Sequence, residues 1–511
     1  MLGGVHDVVI VGAGSAGCVL ASRLSEDPET SVLLLEAGPR DRKLHVRVPA
    51  AFSKLFRSPL DWGYDTVPQG ELDGRRIVFP RGKVLGGSAS INAMMAIRGR
   101  RADHDAWPDG WTWDDVAGAY GRSDVPFPRA AQRSPSPLTR DFLDSAAAAG
   151  IPRVADLNGA DIEGAGLTPV SIRRGRRFSV VDGYLRPALH RPNLTVVTGA
   201  RATRLVVERG RARGVAYLQG GAVHEEEAHA DREVVLAAGA VDTPRLLLLS
   251  GIGPEDELSR HGIAVVQVSP GVGRNLRDHL ANGVLAAVDA KTLYTAERLR
   301  HLLAWLVAGR GPLTSNVAEA AAFVRIGPDA TSPDLELIFA PVLFEEEGTV
   351  PPSRDGVTVA AVLLQPRSAG EVRLSSADPL APPEIDPRYL TDPDGHDARK
   401  LREGVRLARR VLAESPLARH VTEELLPGAD AIDDEALDAH VRARSQTLYH
   451  PVGTCRMGED EAAVVTPELR VRGIDGLRIV DASVIPALPR GHTNWPTVMV
   501  AERAAELMRA A

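Results

Sequence analysis

The chain has 511 residues, 44% of them hydrophobic, so it is long enough for two domains or one large discontinuous unit with substantial cores. Its net charge of -7 argues against binding of nucleic acid, which requires a clustered basic surface. Two cysteines allow neither a disulfide framework nor a metal-ligand spacing, so we expect no metal site and a reducing, cytoplasmic compartment. The N-terminus shows no secretory signal, and no apolar stretch reaches the about 18 residues of a transmembrane segment.

The start of the chain has the pattern of a phosphate-binding turn. Residues 7–11, DVVIV, have the length and composition of a buried parallel strand, and Gly12, Gly14 and Gly17 follow in G-x-G-x-x-G spacing. These glycines let the backbone approach a pyrophosphate. The helix predicted over residues 15–25 would point its N-terminal amides at the same phosphates.

A second strand and an acidic residue complete the dinucleotide-binding pattern. Residues 31–35 predict the strand, and Glu36 follows it at the position where a carboxylate accepts hydrogen bonds from an adenosine ribose. The start of the chain therefore predicts a dinucleotide site. It leaves nicotinamide and flavin dinucleotides equally open.

Residues 79–99, FPRGKVLGGSASINAMMAIRG, predict a loop and a helix start that lie against a flat ligand. The stretch is dense in glycine and other small residues, which permit close approach of the backbone. Upstream, Trp62 and Tyr64 sit among turn formers. Both aromatic side chains are equally compatible with lining a cavity or with simple packing.

Within this stretch, residues 81–88 (RGKVLGGS) and 91–94 (INAM) resemble the first signature of the glucose-methanol-choline (GMC) oxidoreductases. The resemblance continues through residues 107–120, 156–159, 184–188, 239–254 and 270–279, and it implies an FAD-dependent enzyme that acts on alcohols. Some members of the family attach FAD covalently through a histidine just before the asparagine that matches Asn92. This chain has Ile91 there, so we expect non-covalent FAD.

Three segments of the chain carry composition signals without a catalytic motif. Residues 121–140 are rich in Pro, Ser and Arg and predict a loop or a domain boundary. The arginines among residues 173–177 predict a solvated loop rather than a phosphate patch, because no aromatic residue is interleaved with them. Residues 301–308, HLLAWLVA, are too short to span a bilayer and favour a core or lid helix over an interfacial anchor.

Strand patterns recur in the middle of the chain. Residues 193–208 and 214–218 alternate like paired strands, and residues 232–240 predict a buried strand. A helix follows, with Asp242 or Thr243 as its cap and Pro244 at its first position. By the resemblance, the predicted strands 335–339 and 357–365 belong to a sheet that forms the roof over the flavin ring.

The C-terminal part of the chain contains the catalytic candidates. Oxidation of an alcohol requires a base with a pKa near neutral to accept the hydroxyl proton, and the resemblance assigns this role to His450 in TLYHPVGTCRMG. The second active-site position, His or Asn in relatives, falls on His492, and Asn494 lies two residues further on as the other candidate. A final helix, predicted from Pro496 through residues 498–508, points its N-terminus toward the flavin.

The implied reaction is hydride transfer from an alcohol carbon to FAD. A lyase of the hydroxynitrile lyase type, with the same histidines and no net redox, is the alternative, and a flavin-binding protein without activity is a third. Dioxygen or a quinone-like molecule is the expected electron acceptor. An apolar pocket for the small-molecule alcohol is suggested by four aromatic residues: Trp62, Phe339, Phe344 and Trp495.

The predicted fold class is α/β, with a Rossmann-like FAD-binding domain (residues 1–125, 178–283 and 446–511) and a smaller α+β substrate domain (126–177 and 284–445) on an antiparallel sheet. Because catalytic residues near the end act on a cofactor bound at the start, we expect the first strand to neighbour the last. The residues assigned to FAD are Gly12, Gly14, Ser15, Ala16, Gly17, Glu36, Ala37, Trp62, Arg81, Val84, Gly86, Gly87, Asn92, Ala93, Met94, Ala202, Asp481, Ala482, Thr493 and Thr497.

Overall fold

The computed structural model describes residues 5–159, 163–327 and 330–510. Residues 1–4, which belong to the stretch expected to carry no secretory signal, lie outside the described residues. In chain order the helices are α1 (Ser15–Leu24), α2 (Leu44–Arg47), α3 (Arg101–His104), α4 (Trp113–Ser123), α5 (Pro137–Ala148), α6 (Arg186–Ala188), α7 (Gly239–Leu249), α8 (Glu255–Arg260), α9 (Leu299–Ala308), α10 (His396–Ala413), α11 (Asp434–Arg444) and α12 (Asn494–Arg509).

The strands are mostly short, and several pair only in isolated hairpins. In chain order they are β1 (Val5–Val11), β2 (Val32–Glu36), β3 (Tyr64–Asp65), β4 (Val78–Phe79), β5 (Gly164–Leu167), β6 (Ile172–Arg173), β7 (Arg176–Arg177), β8 (Leu194–Thr198), β9 (Ala200–Glu208), β10 (Arg211–Gln219), β11 (Glu226–Leu236), β12 (Ile252–Gly253), β13 (Gln267–Val268), β14 (Leu280–Val288), β15 (Ala320–Val324), β16 (Leu335–Ala340), β17 (Gly356–Leu363), β18 (Glu371–Arg373), β19 (Glu384–Asp386), β20 (Val421–Leu426), β21 (Gln446–Thr447) and β22 (Leu477–Ile479).

The first of two large sheets has seven strands in the order β8-β2-β1-β11-β10-β9, with β22 on the other side of β11. Strands β8, β2, β1, β11 and β22 run parallel, as expected for buried strands that alternate with helices. The expectation that the first strand neighbours the last is wrong. Strand β11 lies between them, because its C-terminal half pairs with β1 on one edge and with β22 on the other.

The second large sheet is antiparallel, with the order β15-β16-β17-β14-β20 and with β21 paired to β14. Its outer face packs on helices α5 and α10 in a core that includes Phe142, Phe339 and Val405. The two phenylalanine rings stack with their centroids 4.7 Å apart. The parallel sheet with its helices and this second antiparallel sheet confirm the predicted fold class.

Helix α7 departs from its prediction. It begins at Gly239 instead of after Asp242, so Pro244 lies inside the helix. Proline has no N–H for the carbonyl oxygen of Ala240 four residues earlier, and the hydroxyl of Thr454 donates to that oxygen instead at 2.7 Å. A partner distant in sequence thus allows proline at a position that local sequence rules exclude.

The segments that composition alone assigned also need correction. The loop predicted over 121–140 is shorter, because α4 continues to Ser123 and α5 begins at Pro137, where proline suits the first helical turn. Arg177 is buried rather than solvated and donates to the backbone oxygen of Val46 at 2.9 Å. The sequence predicts a core or lid helix for residues 301–308. In α9 only Trp305 is buried, so the core alternative is wrong.

Among the described residues, no helix is both long and apolar enough to cross a bilayer.

Candidate active site

A single cavity joins the glycine-rich turn after β1 to the inner face of the second sheet. Gly12 and Gly14 line one end of the cavity, and Ile338, Ala340 and Ala360 from β16 and β17 line the other. The cavity is therefore elongated, with backbone amides at one end and apolar side chains at the other. Such a shape suits a dinucleotide whose rings lie under an apolar roof.

At the first end the backbone is packed so closely that side chains are excluded. A Cβ on Gly17 would lie 1.9 Å from the carbonyl oxygen of Gly12, and one on Gly87 would lie 2.8 Å from Cα of Gly14. Gly12 has φ +98°, which disfavours any residue with a side chain. The glycines therefore form a bare backbone surface at the N-terminus of α1, which is the geometry required for pyrophosphate.

Glu36 stands at the C-terminal end of β2 and lines the cavity. Its carboxylate accepts hydrogen bonds from the backbone amides of Ala13 at 2.9 Å and Gly38 at 2.7 Å. Burial raises the pKa of Glu36 to about 7, although both amides favour the charged form. A carboxylate oxygen accepts more than one hydrogen bond, so the group is still able to bind ribose hydroxyls.

Asp481 joins the end of β22 to the start of α7. Its carboxylate accepts hydrogen bonds from the amide of Gly239 at 2.9 Å, from the hydroxyl of Thr243 at 2.6 Å and from the amide of Ser483 at 2.8 Å. Burial raises the pKa of Asp481 despite these donors. Asp481 and Ala482 line the cavity, so the carboxylate holds two segments of the cavity lining together.

Most of the residues that the sequence assigns to FAD line this one cavity. Gly17, Val84 and Gly86 do not. Gly17 packs against Gly12, Val84 is buried in an apolar cluster with the lining residues Phe52 and Ile91, and Gly86 donates its amide to the carbonyl of Ala13 at 2.7 Å. These three residues support the segments that line the cavity but do not line it themselves. The assigned residues that line it are Gly12, Gly14, Ser15, Ala16, Glu36, Ala37, Trp62, Arg81, Gly87, Asn92, Ala93, Met94, Ala202, Asp481, Ala482, Thr493 and Thr497.

Three histidines from distant parts of the chain lie close together. The ring centroids of His450 and His492 are 4.7 Å apart, and those of His279 and His450 are 5.1 Å apart. His450 and His492 line the cavity. The sequence predicted that His450 and His492 lie together in the active site, but it did not identify His279.

The hydrogen bonds of His279 set the tautomer of His450. Nε2 of His279 lies 3.1 Å from the carbonyl oxygen of Leu364, which only accepts, so Nε2 must donate. Nδ1 of neutral His279 is then an acceptor, and Nδ1 of His450, 2.9 Å away, is its donor. His450 therefore keeps its proton on Nδ1 and an unshared electron pair on Nε2.

The loop that carries His450 is fixed by Asp278, the neighbour of His279 in the sequence. The carboxylate accepts from the amide of His450 at 2.7 Å and also from the hydroxyls of Thr447 and Tyr389. Burial, followed by the charges of His492, His279 and Arg81, lowers the pKa of His450 well below its usual value. The imidazole is therefore neutral around pH 7.

His492 faces a buried acid. Its Nε2 lies 3.2 Å from Oε1 of Glu336 on β16. Oε2 of Glu336 has no hydrogen-bond partner among the described residues. A carboxylate so placed favours a proton on Nε2 of His492 and thereby orients its ring.

Asn494 occupies a different part of the cavity. Its side-chain oxygen accepts a hydrogen bond from the hydroxyl of Ser15 at 2.6 Å, at the N-terminus of α1. The structure therefore places His492 beside His450 and places Asn494 beside the glycine-rich turn. The two candidates for the second active-site position therefore differ in their surroundings, and only His492 lies next to His450.

The apolar end of the cavity differs from the predicted one. Trp62 and Phe344 line the cavity, whereas Phe339 and Trp495 do not. Phe344 stacks on Phe52, whereas the ring of Trp62 lies beside Lys83 and Arg201. Side chains alternate along β16, so Ile338 and Ala340 face the cavity and Phe339 faces the opposite core. Trp495 stacks on Phe127, with a centroid distance of 4.3 Å.

Sequence reasoning missed several residues that line the cavity or lie directly behind its lining. Phe52 and Phe56 line the cavity from the segment after α2, and their spacing of four residues was a helical signal. Glu336 was visible as one acid in the otherwise apolar run LELIFA. His279 ended the segment PGVGRNLRDH, which the resemblance had already singled out. Among the described residues no cluster of His, Cys, Asp and Glu side chains has the arrangement of a metal site.

Comparison with known proteins places this chain in a family. Family profiles described as GMC oxidoreductase match residues 6–281 and 366–501. An uncharacterized GMC-type oxidoreductase of Mycobacterium tuberculosis is 48% identical over 525 residues, which cover 98% of this chain and 99% of that protein. An alcohol dehydrogenase (acceptor) of Pseudomonas putida is 39% identical over 530 residues, with 99% and 96% of the two chains covered.

Solved structures agree with the sequence comparison. Pyridoxine 4-oxidase from Mesorbium loti superimposes with a TM-score of 0.90 at 32% identity, with 99% of each chain covered. Formate oxidase of Aspergillus oryzae, in which FAD modification was studied, gives a TM-score of 0.92 at 29% identity and covers 99% of this chain and 98% of its own. Since the profiles match most of the chain and the relatives align over nearly all of it, this chain belongs to the GMC oxidoreductase family.

Proposed function

We propose that this chain is an FAD-dependent enzyme that oxidises the CH–OH group of an alcohol to a carbonyl. The observation that carries the proposal is the histidine chain in which Leu364 orients His279 and His279 orients His450. It leaves Nε2 of His450 with an electron pair, and none of the described residues donates a hydrogen bond to this atom. Nε2 of His450 is thus available to accept the proton of a hydroxyl group in the cavity.

FAD fits the cavity from end to end. The bare backbone of Gly12, Gly14 and Gly87 suits the pyrophosphate, Glu36 suits the adenosine ribose, and Asp481 lines the same cavity. When bound, FAD supplies the acceptor for the hydride. We propose that it is held without a covalent bond, because the side chain of Ile91, which lines the cavity, has no nucleophilic atom.

The proton follows a path made by the protein. The hydroxyl O–H bond breaks and its proton moves to Nε2 of His450, while the C–H bond breaks with both electrons and the C=O bond forms. His492 lies on the same side of the cavity, and Glu336, beside its Nε2, orients the ring for contact with the substrate oxygen. Asn494 is assigned to the cofactor through its contact with Ser15.

The substrate that suits this cavity is an alcohol with an apolar body. Phe52, Phe56 and Phe344 form an aromatic group next to Tyr449, with Phe52 and Phe344 stacked at 6.0 Å. The alcohol dehydrogenase of Pseudomonas putida supports alcohol as the substrate class, and none of the relatives compared above is named as a lyase. The electron acceptor is either dioxygen or a quinone.

Anaerobic mixing of the FAD-loaded protein with aliphatic, aromatic and quaternary-amine alcohols tests the proposal. We expect the flavin absorbance to bleach with at least one apolar alcohol and to return when air or a soluble quinone is added. A lyase would turn over a cyanohydrin without bleaching. If no alcohol bleaches the flavin, the proposed oxidation is wrong.

A further inference from the structure

The outer face of α9 exposes an apolar stripe. Leu299, Leu303, Leu306 and Val307 follow the spacing i, i+4, i+7 and i+8, which places them on one side of the helix. Their exposed fractions are 70%, 53%, 47% and 87%. Helices of globular proteins usually turn such a stripe toward the core, so its exposure points to an interaction surface.

The helix is held in this orientation by its opposite face. Trp305 is buried and donates its Nε1 hydrogen to the carbonyl oxygen of Gly175 at 2.7 Å. Gly175 itself packs on Gly309, and a Cβ on Gly175 would lie 2.4 Å from the Gly309 carbonyl oxygen. The β6–β7 hairpin therefore clamps the C-terminal end of α9. The packing of the buried face thus holds the apolar stripe in its solvent-exposed orientation.

Arginines flank α9 near both of its ends and on the β6–β7 hairpin that packs on its buried face. Arg176 lies with its guanidinium 4.8 Å from the centre of the Trp305 ring. In the described part of the chain none of the flanking arginines has an ion-pair partner, and the nearby Glu297 is paired with Lys54. This local excess of positive charge contrasts with the net charge of -7 for the whole chain. The flanking arginines are Arg173, Arg174, Arg176, Arg298, Arg300 and Arg310.

The charge decides which occupant fits. A second copy of the chain that packed its own α9 against this face would bring two sets of arginines together, which disfavours a symmetric dimer. An apolar helix face flanked by arginines is instead the arrangement of helices that lie in the surface of an anionic bilayer. We propose that α9 and the β6–β7 hairpin dock this protein on an anionic lipid surface, with the leucines among the acyl chains and the arginines at the phosphates.

The same face adjoins the cavity. Helix α9 packs on the 3-10 segment Pro312–Thr314, which packs on the segment Pro49–Leu55 that carries Phe52. Phe52 lines the cavity. Docking would therefore bring the bilayer beside the aromatic end of the cavity. The proposal concerns binding to lipid alone and does not depend on the proposed reaction.

Co-sedimentation with vesicles tests this proposal. The FAD-loaded full-length protein is mixed with vesicles of pure phosphatidylcholine or of phosphatidylcholine with phosphatidylglycerol. We expect binding to the phosphatidylglycerol vesicles only, weakened by added salt because exposed charges are screened. In the double variant Leu303→Glu with Val307→Glu, the affinity for the vesicles should fall by about tenfold or more. The reason is that burial of even one aliphatic side chain among the acyl chains changes the affinity by about this factor.

The matched control is Val223→Glu, an equally apolar side chain that is 89% exposed in the turn between β10 and β11. It should bind vesicles like the unmodified protein, whereas the variant Arg300→Gln with Arg310→Gln should lose the preference for phosphatidylglycerol. Flavin absorbance and melting temperature verify that each variant folds. Absent binding, or undiminished binding of the double glutamate variant, overturns the proposal. A dimer in solution that this variant dissociates would assign the face to self-association and would also overturn it.

Discussion

Nδ1 of His279 lies 2.9 Å from Nδ1 of His450, and the Leu364 carbonyl oxygen on the far side of His279 fixes the direction of that hydrogen bond. The orientation of the proposed base is thus set by a residue that does not line the cavity. His279 acts as a positioning residue. Burial, with a contribution from His492, lowers the pKa of His279 to about 3, so it stays neutral while it performs this task.

Replacement of His279 tests this relationship. His279→Leu removes the acceptor for Nδ1–H of His450, and the rate of flavin reduction should fall by up to about 100-fold because the imidazole is no longer held in one orientation. His279→Asn keeps an oxygen acceptor near the position of Nδ1 and should restore part of the rate. Stopped-flow absorbance measures both. Equal rates in the two variants would show that the hydrogen bond has no role.

Removal of the base itself should have the larger effect. In His450→Ala no side chain accepts the hydroxyl proton, so flavin reduction should slow by roughly 100- to 10,000-fold. The FAD content should be unchanged, because the glycine-rich turn and Glu36 lie at the other end of the cavity. Single-turnover rates and the ratio of flavin to protein absorbance provide the two measurements. An unaltered rate would rule out His450 as the base.

The pH dependence of flavin reduction should reflect the lowered pKa of His450. The neutral imidazole is the active form. The rate should therefore stay constant as the pH is lowered through about 6.5, the ordinary histidine pKa, and should decline only at a distinctly more acidic pH. The charge of His492 contributes to this lowering, so His492→Asn should move the acid limb toward higher pH. A rate profile for both proteins measures the limb. A limb at or above the ordinary value would contradict the assignment.

The close packing of the glycine-rich turns should make Gly87 intolerant of a side chain. Gly87→Ala places a methyl group 2.8 Å from Cα of Gly14, and overpacking should lower the free energy of unfolding by about 1–3 kcal/mol and weaken FAD retention. Gly220→Ala is the control, because φ is +58° there and +53° at Gly87, while no atom lies within 4 Å of the added methyl. Thermal unfolding and flavin release on gel filtration should separate the two variants.

Non-covalent binding of FAD predicts that the flavin leaves the denatured protein. After acid precipitation the yellow colour should appear in the supernatant and the pellet should be colourless. Unfolding removes the hydrogen bonds of the cavity, and Ile91 offers no atom for a covalent link. Absorbance of the two fractions is sufficient. Flavin that stays with the pellet would show that another residue is attached to it.

The sequence predicted best those parts of the site that are continuous along the chain. The strand, turn and helix from β1 to α1, and Glu36 after β2, are local patterns whose geometry follows from glycine and from strand and helix periodicity. His450 was accessible because a family resemblance marked its turn. The prediction of these residues does not require knowledge of which strands pair.

What the sequence could not provide was the pairing of distant segments. Strand periodicity indicates that Ile338 and Phe339 face opposite ways, but only the sheet shows which side is the cavity. His279 reaches His450 because β14 pairs with β21 in a register that places Leu280 opposite Thr447. The position of β11 between β1 and β22 is likewise a property of the assembled sheet.

The hydrogen bond between Ser15 and Asn494 has a consequence for the biosynthesis of the protein. It joins the first and last helices across 479 positions of the chain, and Arg23 and Glu502 form an ion pair at 2.8 Å between the same helices. The glycine-rich turn leaves the ribosome before α12 does, but its lining is complete only when α12 has emerged. FAD therefore finds its full binding site only after α12 has been synthesised, which makes cofactor loading a late step relative to the folding of the glycine-rich turn.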